Sequence, residues 1–273
     1  MKRIIRVIAM LLGICLCAYP LMASLLEQKS QGKVLSTYED EVKKYDEDGL
    51  EQFIQKAKEY NKELYELGNF GVSGTRDSVL NNEGYNKNLN YSGNGVMGKI
   101  EIPEINVCLP IYHGTGEDVL SVGVGHLEGT SLPVGGENTH CVLTGHRGLP
   151  NSKLFTRLDE LEKEDLFFIE VGQQVMAYRI TEIEVIAPDN VRGLSVEPQK
   201  DKVSLVTCTP YGVNSHRLVV TGERTEYQEE VYLQIEPKIA SEREIIFAAL
   251  PFGMIGIVVA KMIIERRKRK REK

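Results

Sequence analysis

Cys208, His146 and Arg217 have the types and the settings that acyl-transfer chemistry needs. Cys208 ends the apolar run Val203–Thr207 and enters the turn Thr209-Pro210-Tyr211-Gly212. A nucleophile at a strand end is held by a rigid sheet and still meets substrate. Arg217 opens the next apolar run, so pairing of the two runs would carry it to Cys208. His146 follows a third run, within Thr144-Gly145-His146-Arg147-Gly148, where the glycines let another backbone approach. Cysteine-based acyl transfer requires a thiolate, a proton carrier for the leaving amine and a group that stabilises the tetrahedral oxyanion. Cys208, His146 and Arg217 supply these three functions in that order.

Each residue type also has an ordinary structural use. A cysteine is commonly a small buried apolar residue. Cys141 alternates with Leu143 and reads as core, whereas Cys108 is either another such residue or a disulfide partner of Cys141. Of five cysteines, Cys15 and Cys17 fall in an N-terminal apolar run, which leaves three and hence at least one free thiol. No CxxC pair or Cys/His cluster has zinc spacing, so a structural metal site is not expected. His113 and His126 lie in turns, His140 begins a strand, and His216 faces away from its neighbour Arg217; all four read as packing or surface residues.

The elements that must position the triad are strands. Residues 97–111, 140–144, 166–171, 174–180, 203–207 and 217–221 form short apolar runs, with Pro103 and Pro110 limiting the first to short or edge strands. Short helices are expected at 116–122 and 151–161. Many short strands with few helices indicate a β-barrel or sandwich. Upstream, Leu35, Tyr38, Val42, Tyr45, Phe53, Ile54, Ala57, Tyr60, Leu64 and Leu67 recur at helical spacing, with Gly49 as a break. They form a stalk or helices that pack on the body. Residues 68–95, rich in Gly, Asn and Ser, read as a loop.

Charge is partitioned along the 273 residues. Residues 1–26 carry three Lys or Arg and no acid, and 245–273 carry eight against two acids. Between them lie 22 bases and 37 acids, a net of −15 within an overall −6. An acidic body repels nucleic acid, which excludes that class of partner. Val7–Leu26 and Ile245–Ala260, extended by Met262–Ile264, are apolar and flanked by bases. They read as membrane anchors with both termini cytoplasmic and the middle extracytoplasmic.

The segment Leu205-Val-Thr-Cys208-Thr-Pro-Tyr-Gly-Val-Asn-Ser-His-Arg217 resembles the signature of the sortases, in which Thr-Cys is followed by Arg nine residues on. Val142-Leu-Thr-Gly-His146-Arg-Gly-Leu-Pro150 is similar to their catalytic-histidine strand end. Gly125–Gly136 and Met97–Pro103 read the same way. Two terminal anchors and a long N-terminal extension resemble class C, the pilin-polymerising type of Gram-positive bacteria.

The resemblance implies a mainly β fold, a closed eight-stranded barrel with short helices, a helical extension and two terminal transmembrane helices. The expected divisions are an anchor at 1–26, an extension with a lid loop at 27–96, the catalytic barrel at 97–224, a linker at 225–244, a transmembrane helix at 245–264 and a basic tail at 265–273. It implies cleavage of an LPXTG-like sorting signal between Thr and Gly, with Cys208 forming a thioester and a pilin Lys amine resolving it. His146 carries the proton, Arg217 holds the carbonyls and oxyanion, and no cofactor takes part. Class C members often carry a lid with an Asp-Pro-aromatic motif. The nearest match, Asp77-Ser78-Val79, keeps only the Asp, so a lid through Asp77 is an expectation. Two other readings compete: a housekeeping or hydrolytic enzyme using a cell-wall precursor amine or water, and a catalytically idle membrane-bound module that only binds sorting peptides.

Overall fold

Alternation of apolar side chains between Val96 and Thr225 produces eight strands. They are β1 (Val96–Ile102), β2 (Val107–His113), β3 (Val124–His126), β4 (Thr139–Thr144), β5 (Leu166–Val171), β6 (Gln174–Ile186), β7 (Asp201–Thr209) and β8 (His216–Thr225). The structure is a computed structural model that describes residues 2–67, 82–149, 152–190, 192–237 and 242–271. The strands close into a barrel in the order β1-β2-β3-β4-β7-β8-β6-β5. The β2–β3 and β4–β7 pairs are parallel and the others antiparallel.

Prolines mark strand limits as their chemistry requires. Pro103 begins a 3-10 turn over Pro103–Ile105 that ends β1, and Asn106 follows with a left-handed φ of 53°. Pro110 lies within β2 opposite Lys99, and β3 joins β2 only from Ile111 onward. The barrel interior is filled by alternate residues, including Ile100 and Ile102 of β1, Leu143 of β4, Val203 and Leu205 of β7, and Leu218 and Val220 of β8. Cys141 lies inside this core, where burial pushes its thiol well up, while Cys108 is exposed. Both are free, so the disulfide left open by the sequence is not formed.

The helical extension docks on the barrel. It comprises α1 (Lys2–Val42), α2 (Glu47–Glu66) and α3 (Asn82–Lys87). The break lies before Gly49, because Asp46 caps α2 with its carboxylate accepting from Gly49 N at 2.9 Å. Gln31, Leu35, Tyr38 and Val42 are buried on one stripe of α1, and Leu50, Ile54, Ala57, Asn61 and Leu64 on one stripe of α2. Full burial of each large apolar side chain contributes about 1.5–3 kcal/mol. Polar contacts fix the register. Tyr38 Oη accepts from Gly172 N (2.8 Å) in the β5–β6 turn, and Asn61 exchanges two bonds with the Leu132 backbone (2.7 and 3.1 Å). From Gln31 to Leu64 the extension is therefore packed on the barrel rather than projecting as a stalk.

Three further helices complete the described chain: α4 (Glu117–Leu120) between β2 and β3, α5 (Glu229–Gln234) and α6 (Glu242–Arg271). Helix α5 returns to the barrel, where Tyr232 Oη donates to Glu101 at 2.7 Å and stacks edge-on with Phe168. The terminal apolar runs lie in α1 and α6, yet among the described residues no helix is long and apolar enough to cross a membrane. The two expected transmembrane helices are thus not borne out. In α6 the uncharged run Ile245–Ala260 covers roughly 24 Å before Lys261, short of a hydrocarbon core of about 30 Å. Asp77, the expected lid residue, lies outside the described residues.

Candidate active site

Three adjacent strands converge on one end of the barrel. In β7, Val203 and Leu205 point inward, so Val206 and Cys208 share the outer face. In β8, Leu218 and Val220 point inward, so Arg217 and Val219 share that face too. Cys208 and Arg217 are direct partners in the antiparallel β7–β8 register. Ile186, the last residue of β6, flanks Arg217 on its other side.

On the opposite side of β7, the parallel strand β4 delivers His146. Thr144 pairs with Val206, Gly145 N donates to Val206 O at 3.1 Å, and Thr207 Oγ1 donates to Gly145 O at 2.7 Å. Gly145 and His146 therefore run beside Thr207 and Cys208. Gly145 also makes room for the Phe155 ring, which a Cβ there would meet at 2.8 Å. Cys208, His146 and Arg217 are all half-buried, and the sheet lines them up in the order His146, Cys208, Arg217.

The polar surroundings are specific. His146 Nε2 lies 3.2 Å from an exposed Glu117 carboxylate oxygen on α4. Arg217 donates through Nη1 to the carbonyls of Asn214 (3.3 Å) and His216 (3.1 Å), so its fork is aimed at the β7–β8 loop. The Thr209–Pro210 bond in that loop is cis. The ring of His216, next to Arg217, lies with Nδ1 2.9 Å from Ser215 Oγ, and the residue is exposed. Below the site the outer face is apolar, with Val142, Val206 and Val219 packed against Leu194, Leu127 and Ile186. This buried cluster backs the outer face beneath the thiol and the cation.

The remaining histidines are structural. His126, at the end of β3, is fully buried with Nδ1 2.8 Å from Tyr85 Oη and Nε2 2.9 Å from Ser131 O. Burial holds its pKa down to about 4. His140 is tied to Ser204 Oγ (2.7 Å) and Ser195 O (2.9 Å), and His113 to the carbonyls of Gly95 and Asn88. Burial lowers both as well. Among the described residues no group of three or more His, Cys, Asp or Glu is placed to hold a metal ion.

Sequence reasoning missed Arg147, which the structure buries between the His146 and Cys208 turns, and Glu117. A charged residue directly after His146 reads as solvated unless the turn it belongs to is known to be covered. Glu117 lies 29 residues from His146, a distance in sequence that carries no signal.

Residues 100–225 match the family model of the sortase domain. The chain is 30% identical over 177 residues to sortase D of Bacillus subtilis (strain 168), covering 64% of this chain and 83% of that protein. Among solved structures, it is similar to sortase C1 from Streptococcus agalactiae, with 43% identity and a TM-score of 0.68, covering 72% of this chain and 100% of that one. It is also similar to Clostridium perfringens sortase C solved with the C-terminal cell wall sorting motif. There the identity is 41% and the TM-score 0.61, covering 71% of this chain and 99% of that one.

Proposed function

The chain belongs to the sortase family of cysteine transpeptidases, and from that membership we propose that it cleaves an LPXTG-like sorting signal between Thr and Gly and joins the acyl fragment to a pilin Lys amine. The observation that carries this reading is the row His146, Cys208, Arg217 across β4, β7 and β8. The Cys208 thiolate adds to the Thr carbonyl. Arg217, always cationic and rich in donors, faces the oxygen on which charge develops. As the tetrahedral adduct collapses, the C–N bond breaks, His146 gives its proton to the departing Gly amine, and a thioester remains. The Lys amine then attacks the thioester and gives a proton to His146, and expulsion of the thiolate leaves an isopeptide.

The similarity to a sortase C solved with a cell wall sorting motif favours a sorting-signal substrate. The likeness to sortase C structures favours a pilin acceptor. The test is to incubate the purified full-length protein with an LPXTG-type peptide and a pilin bearing an acceptor Lys, followed by mass spectrometry. A Cys208 thioacyl adduct with Lys-linked products supports the reading. An adduct without Lys linkage moves the acceptor to wall precursor or water, and absence of any adduct overturns the chemistry.

The same reading places the barrel outside the cell membrane with both termini cytoplasmic. It is supported by the basic clusters at the two ends, the acidic middle, and the exposed Leu12, Leu16, Leu25 and Leu26 of α1 and Phe252 and Ile257 of α6. Protease treatment of intact protoplasts tests it: loss of the barrel with protection of both tails is the expected outcome.

A further inference from the structure

Beyond residue Thr144 the ladder that fixes β4 against β7 ends, yet His146 must keep a set height over Cys208. Arg147 is 7% exposed, and its guanidinium bridges the two turns that carry them. Nη2 lies 2.6 Å from Asp159 Oδ2, and Nη1 donates to Thr209 Oγ1 at 3.1 Å. The ring of Tyr211 lies 5.8 Å from its central carbon, so the cation is covered by the β7–β8 loop. Gly148 makes room for that ring, since a Cβ there would stand 3.1 Å from it. Asp159 belongs to the 3-10 turn Leu158–Glu160, which is fastened in turn to the histidine: Phe155 N donates to His146 O at 3.1 Å.

The guanidinium thus joins the residue after His146 to the residue after Cys208, with Asp159 behind it. We propose that Arg147 is a positioning residue that sets the separation of His146 and Cys208 by clasping Thr209 against Asp159. Its Nε is buried and has no hydrogen-bond partner among the described residues. Burying a cation with an idle donor is a poor way to stabilise a fold. What this arrangement does provide is a fixed geometry, because the planar fork reaches two partners at once and a lysine in its place would reach one.

The inference rests on the catalytic reading of Cys208 and His146, and the experiment separates the two. Full-length wild type, Thr209→Val, Arg147→Lys, the double variant and Cys208→Ala are compared for turnover of an LPXTG-type peptide and for the pH profile of Cys208 alkylation. Thr209→Val keeps the Arg147–Asp159 ion pair and so the fold. A misplacement near 1 Å costs on the order of 10²-fold in rate, so partial loosening should lower kcat by roughly tenfold, with KM within about twofold. The alkylation midpoint should move to higher pH, and the double variant should be no slower than the slower single one, because both remove the same contact. Thr209→Val with wild-type kcat and an unmoved alkylation profile overturns the positioning role. So do losses that simply multiply. If Cys208→Ala still turns over, the catalytic reading falls and takes this one with it; if that variant is dead and Thr209→Val is unaffected, only the Arg147 role falls.

Discussion

Cys208 and Arg217 face each other across the β7–β8 ladder, on the outer surface of the barrel and at its rim. Directly opposed residues in an antiparallel pair stand about 4.5–5.5 Å apart at Cα. At that backbone spacing the long Arg217 side chain, now bonded to the Asn214 and His216 carbonyls, needs only a change of rotamer to swing toward Cys208, with no rearrangement of the backbone.

Replacing Cys208 by Ala should therefore remove peptide cleavage by at least about 10³-fold while leaving the fold intact, since Cys208 is half-buried and outside the barrel core. Chromatography of cleaved peptide, alongside circular dichroism, gives both readings. Residual cleavage near the wild-type rate would place the nucleophile elsewhere.

Arg217→Ala should lower kcat by roughly 10²–10³-fold, the range for loss of one oxyanion donor. Arg217→Lys should recover only part of it, because a point charge does not reproduce the fork. Full recovery by Lys would mean that Arg217 acts through charge alone.

Gly145→Ala tests the packing of Phe155 against the turn that carries His146. The added Cβ would fall 2.8 Å from the Phe155 ring, so either the ring or the His146 turn must shift. Turnover should drop by about tenfold or more, with a smaller change in melting temperature. Equal turnover would show that Phe155 yields without disturbing His146.

Tyr38→Phe leaves Gly172 N without its buried acceptor. An unsatisfied buried donor costs about 1–3 kcal/mol, which urea denaturation followed by circular dichroism would resolve. An unchanged unfolding free energy would mean that the hydroxyl does not hold α1 to the β5–β6 turn.

Acid should destabilise the protein through its buried histidines. His126 is held at about 4 in the fold by burial, against about 6.5 unfolded, so the unfolded chain binds the extra proton between those values. Its contribution is fully present above pH 6.5 and is lost as pH falls toward 4. His113 and His140 shift in the same direction. Unfolding free energy measured from pH 7.5 to 5 should fall steadily in wild type and less steeply in His126→Gln; parallel slopes would remove His126 from this account.

The placement of Cys208, His146 and Arg217 on neighbouring strands was legible because each stands at one end of a short apolar run, where strand periodicity and turn residues announce it. The barrel was legible for the same reason. Less visible was anything that depends on which strands become neighbours. The packing of Tyr38 on Gly172, 134 residues away, turns a helix that reads equally well as a stalk into part of the body. Arg147 looks solvated until the β7–β8 loop and Tyr211 are laid over it. The terminal apolar runs read as anchors from their flanking charges, whereas the described helices fall short of a crossing.

The parallel pairing of β4 with β7 has a consequence during biosynthesis. Thr207 and Gly145, whose bond locks the two halves of the site, are 62 residues apart in sequence. Strands β5 and β6 must be synthesised before β7 can pair with β4, and such non-local parallel pairing forms slowly. A chain emerging residue by residue thus carries His146 long before Cys208, and the two are brought side by side only once β7 has joined β4.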